Sequence, residues 1–221
     1  MTQTPKIIAI DGPAAAGKGT LAKRLAQHFG LELLDTGLLY RAVARKVLDT
    51  DVEIGDEPSA YEELAGQAAR GLIAADLEVP GLRNDETAQA ASKVSALPAV
   101  RKALLDFQQS FAATPPNMAL GAVLDGRDIG TVVCPGADVK LFITASTEVR
   151  AERRHKELQE RGEVSIYARV LLDMKERDAR DTGRDVSPLA AAEDAFQIDT
   201  SNLDTDQVFA AALEFIASRN S

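Results

Sequence analysis

Gly12-Pro13-Ala14-Ala15-Ala16-Gly17-Lys18-Gly19-Thr20 follows the apolar run KIIAID at 6–11. It precedes LAKRLAQHFG, in which Leu21, Leu25 and Phe29 recur at helical spacing before a stop at Gly30. A short apolar run without strict alternation suits a strand buried on both faces of a parallel sheet. Strand, glycine-bearing loop and helix, in that order, make a phosphate cradle. Glycines let backbone approach an oxyanion, and the loop's N–H groups converge on it. The helix behind directs the positive end of its dipole at the same point. Lys18 brings a mobile charge to the β- and γ-phosphates, and Thr20 a hydroxyl on the magnesium side. Residues 12–20 are therefore the candidate binding site for a nucleoside triphosphate such as ATP.

Outward from this loop, strand and helix patterns alternate. LELL at 31–34 reads as a second strand, and Asp35-Thr36 as the cap of a helix that ends at Asp49-Thr50-Asp51. Residues 50–118 are mostly helical in pattern: YEELAGQAARGLIAA, DETAQAASKVSAL, and a helix begun by Pro98 with Val100, Leu104, Phe107 and Phe111 on its apolar face. DLEVPGLRND reads as a loop, with DLEV alternatively a short strand. Residues 122–125, 139–144 and 196–199 supply three more strands. Ser146 or Thr147 caps an arginine-rich helix ending at Gly162, Ser165 caps the next, and Asp204 or Thr205 starts the last, with Val208, Leu213 and Ile216 on its apolar face. The fold class expected is α/β: a P-loop NTPase-like, parallel five-stranded sheet flanked by helices.

The 221 residues carry a net charge of −9, one cysteine (Cys134) and two histidines. One cysteine precludes an internal disulfide, and so few Cys and His argue against a metal site built from them. The longest apolar runs are a few residues, too short for a membrane span. The start, MTQTPKIIAIDG, lacks the apolar stretch of a signal peptide, so a cytoplasmic protein is expected. The negative charge disfavours nucleic acid as a partner, but it is unevenly spread. Residues 49–86 hold eleven acidic and two basic side chains, whereas residues 147–184 hold ten basic and nine acidic. A small anion would seek the second stretch.

Three clusters bear on what such a loop would phosphorylate. Asp35-Thr36-Gly37-Leu38-Leu39-Tyr40-Arg41 follows the second strand, at the edge where open α/β sheets bind ligands. Its hydroxyl, helix N-terminus and arginine suit an anionic acceptor, or equally an ordinary helix cap with Arg41 in solvent. In Val123-Leu124-Asp125-Gly126-Arg127-Asp128-Ile129-Gly130-Thr131, Asp125 ends an apolar strand as the magnesium-ordering acid of phosphate-loop enzymes does. Arg127 and Asp128 then project at the ligand edge, and a carboxylate such as Asp128 can accept from a cytosine amino group; the alternative is a solvated turn. In Lys175-Glu176-Arg177-Asp178-Ala179-Arg180-Asp181-Thr182-Gly183-Arg184, three arginines fall near one helix face, with a helix end and hinge at Thr182-Gly183. Alone this is an exposed salt-bridged helix; beside a phosphate loop it reads as a lid that neutralises a moving phosphoryl group. Asp178 and Asp181 would then relieve repulsion among the arginines, and one could bind a ribose hydroxyl.

The more common loop has Ser or Thr directly after its lysine; the GKGT variant here resembles that of nucleoside monophosphate kinases. Taken with LLDTGLLYR, ASKVSALPAVRKALLDFQ, DGRDIGTVV and KERDARDTGR in that order, the chain resembles the bacterial cytidylate kinases over most of its length. The resemblance implies transfer of the γ-phosphoryl group of ATP to CMP or dCMP with Mg2+, the metal side being Thr20 and Asp125. It implies cytosine reading by Ser92, Arg101 and Asp128, and acceptor-phosphate binding by Arg41, Arg127 and Arg184. Arg177 and Asp181 resemble the ribose-facing pair and Arg180 a lid arginine, so Lys18, Arg127, Arg177, Arg180 and Arg184 are the candidate catalytic residues. Thr36 stands where many members have serine, with Tyr40 beside it, and Arg83 precedes the ASKV helix as in the family. The expected organisation is a single domain, 1–221. Its core is 1–49, 87–162 and 190–221, its acceptor-binding insert 50–86 and its lid region 163–189. Many members carry a longer, strand-rich insert; here 60–86 is short, acidic and helical in pattern. A monomer is expected, with small-molecule partners and neither nucleic acid nor membrane. Two rivals share the loop: a small-molecule kinase such as shikimate kinase, and a nucleotide-binding regulatory module.

Overall fold

The structure, a computed structural model, describes residues 4–55 and 57–219. Strands β1 (Ile7–Asp11), β2 (Glu32–Asp35), β3 (Ala122–Asp125), β4 (Val139–Thr144) and β5 (Phe196–Asp199) form one sheet in the order β2-β3-β1-β4-β5. β1 pairs in parallel with β3 and β4, and β4 with β5. Ile8, Ala9, Ile10, Val123 and Leu124 are wholly buried, as the central strands of a parallel sheet covered on both faces must be. The helices are α1 (Lys18–Phe29), α2 (Thr36–Leu48), α3 (Glu62–Arg70), α4 (Asp85–Val94), α5 (Pro98–Ala113), α6 (Thr147–Glu160), α7 (Tyr167–Thr182) and α8 (Thr205–Arg219). This is the doubly covered α/β sheet expected from the strand–helix alternation.

The chain forms two compact units, Met1–Leu34 with Ser110–Ser221, and Asp35–Gln109. The core of the first packs Ile8, Ile10, Leu141 and Ile143 against Leu21 and Leu25 of α1 and Val208 and Ile216 of α8. The core of the second is built chiefly from helices: Leu39, Val43 and Val47 of α2, Ala65 and Ala69 of α3, Val94 of α4, and Val100 and Leu104 of α5, with Ile54, Tyr61 and Leu97 from the connections between them. Helix α2 packs on both α3 and α4, so the second unit is larger than the 50–86 segment.

Several local expectations are corrected. Residues 74–78 form a 3-10 turn (Ala74–Glu78), not a strand; the Asp76 carboxylate takes the Ile73 N–H at 2.8 Å and an ion pair from Lys46 at 2.8 Å. Phe107 is exposed although it shares a face of α5 with the buried Val100 and Leu104. Asp35 occupies the N-cap position of α2 without a side-chain cap bond, and pairs instead with Arg83 at 3.0 Å. Ser165 does not cap α7, whose N-cap is Ile166; its hydroxyl meets His155 Nδ1 at 2.7 Å. Ser146 caps α6 as expected, accepting from the Val149 N–H.

Candidate active site

The loop after β1 is a strained backbone turn. Gly12 has φ 142°, and a Cβ there would fall 1.9 Å from the carbonyl oxygen of Ile143; only glycine fits. Ala15 (φ 57°) and Gly17 (φ 96°) are also left-handed, which costs roughly 1–2 kcal/mol at the alanine and turns successive N–H groups inward. Side chains from elsewhere brace the loop. Thr200, just past β5, donates to the Ala16 carbonyl at 2.9 Å, and Arg153 of α6 donates to the Thr200 hydroxyl and carbonyl. Arg150 of α6 reaches the Ala14 carbonyl at 3.4 Å.

Lys18 opens α1, and its Nζ donates to the Pro13 carbonyl at 2.8 Å and lies 3.8 Å from Asp125. Burial and the neighbouring Arg127 charge pull its pKa well below the ordinary lysine range, with Asp125 opposing them. Gly126 N–H donates to the Ile10 carbonyl at 2.9 Å, so the turn after β3 leaves the sheet beside the phosphate loop. The two strand ends bring Lys18, Asp125, Arg127 and Asp128 to one edge, as the sequence reading required.

Asp181 is the hub of that edge. It is 1% exposed and pairs with Arg127 at 3.1 Å, with Arg177 at 3.9 Å, and with Arg184. Burial pushes its carboxyl up, but the guanidiniums of Arg127, Arg177 and Arg184 outweigh that and hold it below the usual carboxylate range. Arg127 also donates to the Gly126 carbonyl at 3.0 Å. Asp128 is buried and precedes one π-helical turn, Ile129–Val133. Arg180 lies half-buried on α7, and the helix stops at Gly183 as expected. Asp178 does not serve the arginines of its own helix. It binds Arg150 of α6 through two bonds of 3.0 and 2.6 Å, a correction to its expected place among the 177–184 arginines.

Among the described residues no group of three or more His, Cys, Asp or Glu side chains is arranged to hold a metal. An ion relying on protein ligands alone does not fit. Mg2+, which takes one or two carboxylates and completes its shell with substrate phosphates and water, does. Asp125 and Thr20 are hard oxygen donors beside the loop; the Asp125 Oδ2 lies 3.5 Å from where a Cβ on Gly19 would stand, and Thr20 is exposed.

In the second unit the remaining candidates cluster around α2 and α4. Thr36 opens α2 and is buried. Arg41, one turn on, donates to the Leu82 carbonyl at 3.0 Å, one residue before Arg83. Arg101, in the first turn of α5, donates to the Ser95 carbonyl at 3.0 Å and lies over the Tyr40 ring at 5.6 Å. Ser92 is buried on α4, its carbonyl taking the Ser95 hydroxyl at 2.9 Å.

Three residues with clear geometry escaped the sequence reading. Asp11 is a buried carboxylate at the end of β1; an acid closing an apolar run directly before Gly12 was the available signal. Arg150 and Thr200 brace the loop across 136 and 184 residues of sequence, a separation at which nothing in the local pattern marks a partner.

A parallel sheet whose first strand runs through a glycine-pinned loop into a helix headed by a buried lysine, beside an acid-tipped strand, defines a phosphate-loop nucleotide-binding protein. The fold is similar to that of an uncharacterized protein from Eubacterium ventriosum of known crystal structure (TM-score 0.53, 18% identity, 97% of this chain and 99% of that one). The chain belongs to the cytidylate kinase family: the family model "Cytidylate kinase" matches residues 8–218. It is 62% identical over 213 residues to the cytidylate kinase of Paramagnetospirillum magneticum, covering 96% of this chain and 98% of that one. It is 56% identical to the cytidylate kinase of Xanthobacter autotrophicus, with 96% and 98% covered.

Proposed function

We infer that the protein is a nucleoside monophosphate kinase that transfers the γ-phosphoryl group of ATP to CMP or dCMP. The bond formed joins a CMP phosphate oxygen to the γ-phosphorus; the bond broken joins that phosphorus to the β–γ bridging oxygen, and ADP leaves. The attacking phosphate is already anionic, so no general base is required. Catalysis rests on positioning and charge. Lys18 and the N–H groups of residues 12–20 hold the triphosphate. Arg127, Arg177, Arg180 and Arg184 neutralise the moving group, the last three from the lid region 163–189. Asp128 accepts from the cytosine amino group, and Asp181 faces the ribose. Thr36, Tyr40, Arg41, Arg83, Ser92 and Arg101 carry the acceptor roles the family resemblance gives them, with 50–86 as the acceptor-binding insert. Thr20 and Asp125 would hold Mg2+, which when bound offsets charge on the β- and γ-phosphates. The protein acts as a monomer in the cytoplasm, without nucleic-acid or membrane partners; no helix among the described residues is long and apolar enough to cross a membrane.

The observation that supports this most is the convergence of Lys18, Asp125 and the Asp181-bound arginines at the ends of β1 and β3, in a chain of this family. The test is ADP release with ATP and Mg2+ against CMP, dCMP, UMP, AMP and shikimate. CMP and dCMP are expected to be turned over best. Preference for AMP or shikimate, or ATP turnover indifferent to acceptor, overturns the reading.

A further inference from the structure

Asp11 ends β1 one residue before the phosphate loop and is 4% exposed. Its Oδ1 accepts the Ile129 N–H and its Oδ2 the Gly130 N–H, both at 2.7 Å. These amides directly follow Asp128 and open the π-helical turn, in which Val132 and Val133 N–H donate to the Asp128 carbonyl. The first N–H groups of any helical turn lack an intrahelical acceptor. Here they lie on buried residues, where an orphaned donor costs about 1–3 kcal/mol. Asp11 is what satisfies them.

The arrangement demands a carboxylate. Two N–H groups converge on two oxygens, so an asparagine would place its own NH2 against one of them. Space is also fixed: a Cβ on Gly130 would come within 3.4 Å of the Asp11 Oδ2 and 3.2 Å of the Lys140 side chain. A buried ion is a costly way to finish a turn. The turn it finishes carries the base-reading acid, and the strand it ends carries the phosphate loop.

We propose that Asp11 is a positioning residue for acceptor recognition: by gripping the Ile129 and Gly130 amides it fixes the Asp128 carboxylate, and so the cytosine, in register with the phosphate loop. This rests on Asp128 reading the base. Asp11 touches no substrate; it acts through the turn.

The test is steady-state kinetics of the full chain with both substrates varied, for Asp11→Asn, Gly130→Ala and Asp128→Ala. Asp11→Asn is expected to raise KM for CMP about tenfold while KM for ATP changes less than about twofold. Gly130→Ala keeps the charge and both donors but crowds the carboxylate, and is expected to give a smaller rise, again for CMP only. An Asp11→Asn effect on ATP equal to that on CMP would make Asp11 a brace of the donor loop and overturn the proposal. If Asp11→Asn does not fold, Gly130→Ala decides: a CMP-only rise supports the proposal, and an equal effect on both substrates overturns it. Asp128→Ala separates the two layers. If it leaves KM for CMP unchanged, the base reading falls and the proposal with it. If it raises KM for CMP while Asp11→Asn is silent, the proposal falls alone.

Discussion

At Gly12 a single methyl group decides whether the loop can form. Two constraints meet there, a φ of 142° and a β4 carbonyl 1.9 Å from any Cβ. Gly17 has only the first, since nothing lies within 4 Å of its Cβ position. Gly12→Ala is therefore expected to cost more than about 4 kcal/mol, because backbone atoms of a central strand cannot yield, and Gly17→Ala only about 1 kcal/mol of backbone strain. Thermal melting of the two variants checks the ranking; equal losses would mean that the contact with β4 is not what fixes Gly12. Asp181 gives a second prediction. Asp181→Asn leaves three arginines around an uncharged amide, and urea unfolding at pH 7 is expected to show a loss of about 3 kcal/mol. Its folded carboxyl lies below the ordinary range, so its stabilising contribution is complete above about pH 4 and fades as pH falls below that. The gap between wild type and variant must narrow in acid; a gap that widens would contradict the assignment. The spacing of Lys18 and its glycines was legible because a phosphate loop constrains nine consecutive residues. The destination of Asp178 was not, because an acid one turn from several arginines has the same local pattern whether it pairs along its own helix or across to α6.

Helix α7 shows what such a cross-link does at the scale of an element. Its inner face, Val170 and Met174, packs with Ala151 and Leu158 of α6 and against Ala14 and Ala15 of the phosphate loop. Above that cluster Arg150 is clamped by Asp178, by the Thr147 hydroxyl at 2.9 Å and by the Ala145 carbonyl at 2.9 Å. The helix that bears Arg177 and Arg180 is thus tied to the loop through one guanidinium. Arg150→Met keeps most of the bulk and removes the tie. It is expected to raise KM for ATP and lower kcat by about tenfold each, since a misplaced arginine no longer meets the moving charge. Kinetics at saturating CMP test this, and an unchanged KM for ATP would show α7 to be held by its apolar face alone. The elements themselves were readable: all five strands and the ends of α1, α2 and α7 follow from apolar period and from glycines or acids at their stops. Failures came where one polar residue had two possible partners. Ser165 could cap α7 or meet His155, and Asp35 could cap α2 or pair with Arg83; the tertiary partner won each time.

Across the whole molecule the same competition sets the boundaries and the response to pH. The sequence could not mark the division at Leu34 and Ser110, because α2 and α5 look like any core helices in apolar period; only packing around Leu39, Val94 and Leu104 assigns α2, and α5 as far as Gln109, to the second unit. Charge was more legible, and its consequences are global. Most shifted carboxyls, Asp49, Asp76, Asp181, Asp194 and Asp199 among them, are lowered by partners, so each stabilises the fold above pH 4 and ceases to as pH falls. Asp11 runs the other way. Burial raises its carboxyl to about 6, against the pull of the Gly130 and Ile129 amides and of Lys18, and with the help of Asp128. Its other titratable neighbour, the Cys134 thiol, is itself pushed up to about 11 by burial and stays neutral. Between pH 4 and 6 the folded protein therefore holds a proton at Asp11 that the unfolded chain has released, and the stability this residue contributes falls as pH rises across that window. A shift of this size corresponds to ~3 kcal/mol. Urea unfolding of wild type and Asp11→Asn at pH 4.5 and 7.5 reads this directly. The advantage of wild type over the variant is expected to shrink by up to that amount at the higher pH. An advantage that grows with pH would mean that the two amide bonds outweigh burial and hold the carboxylate ionised at little cost.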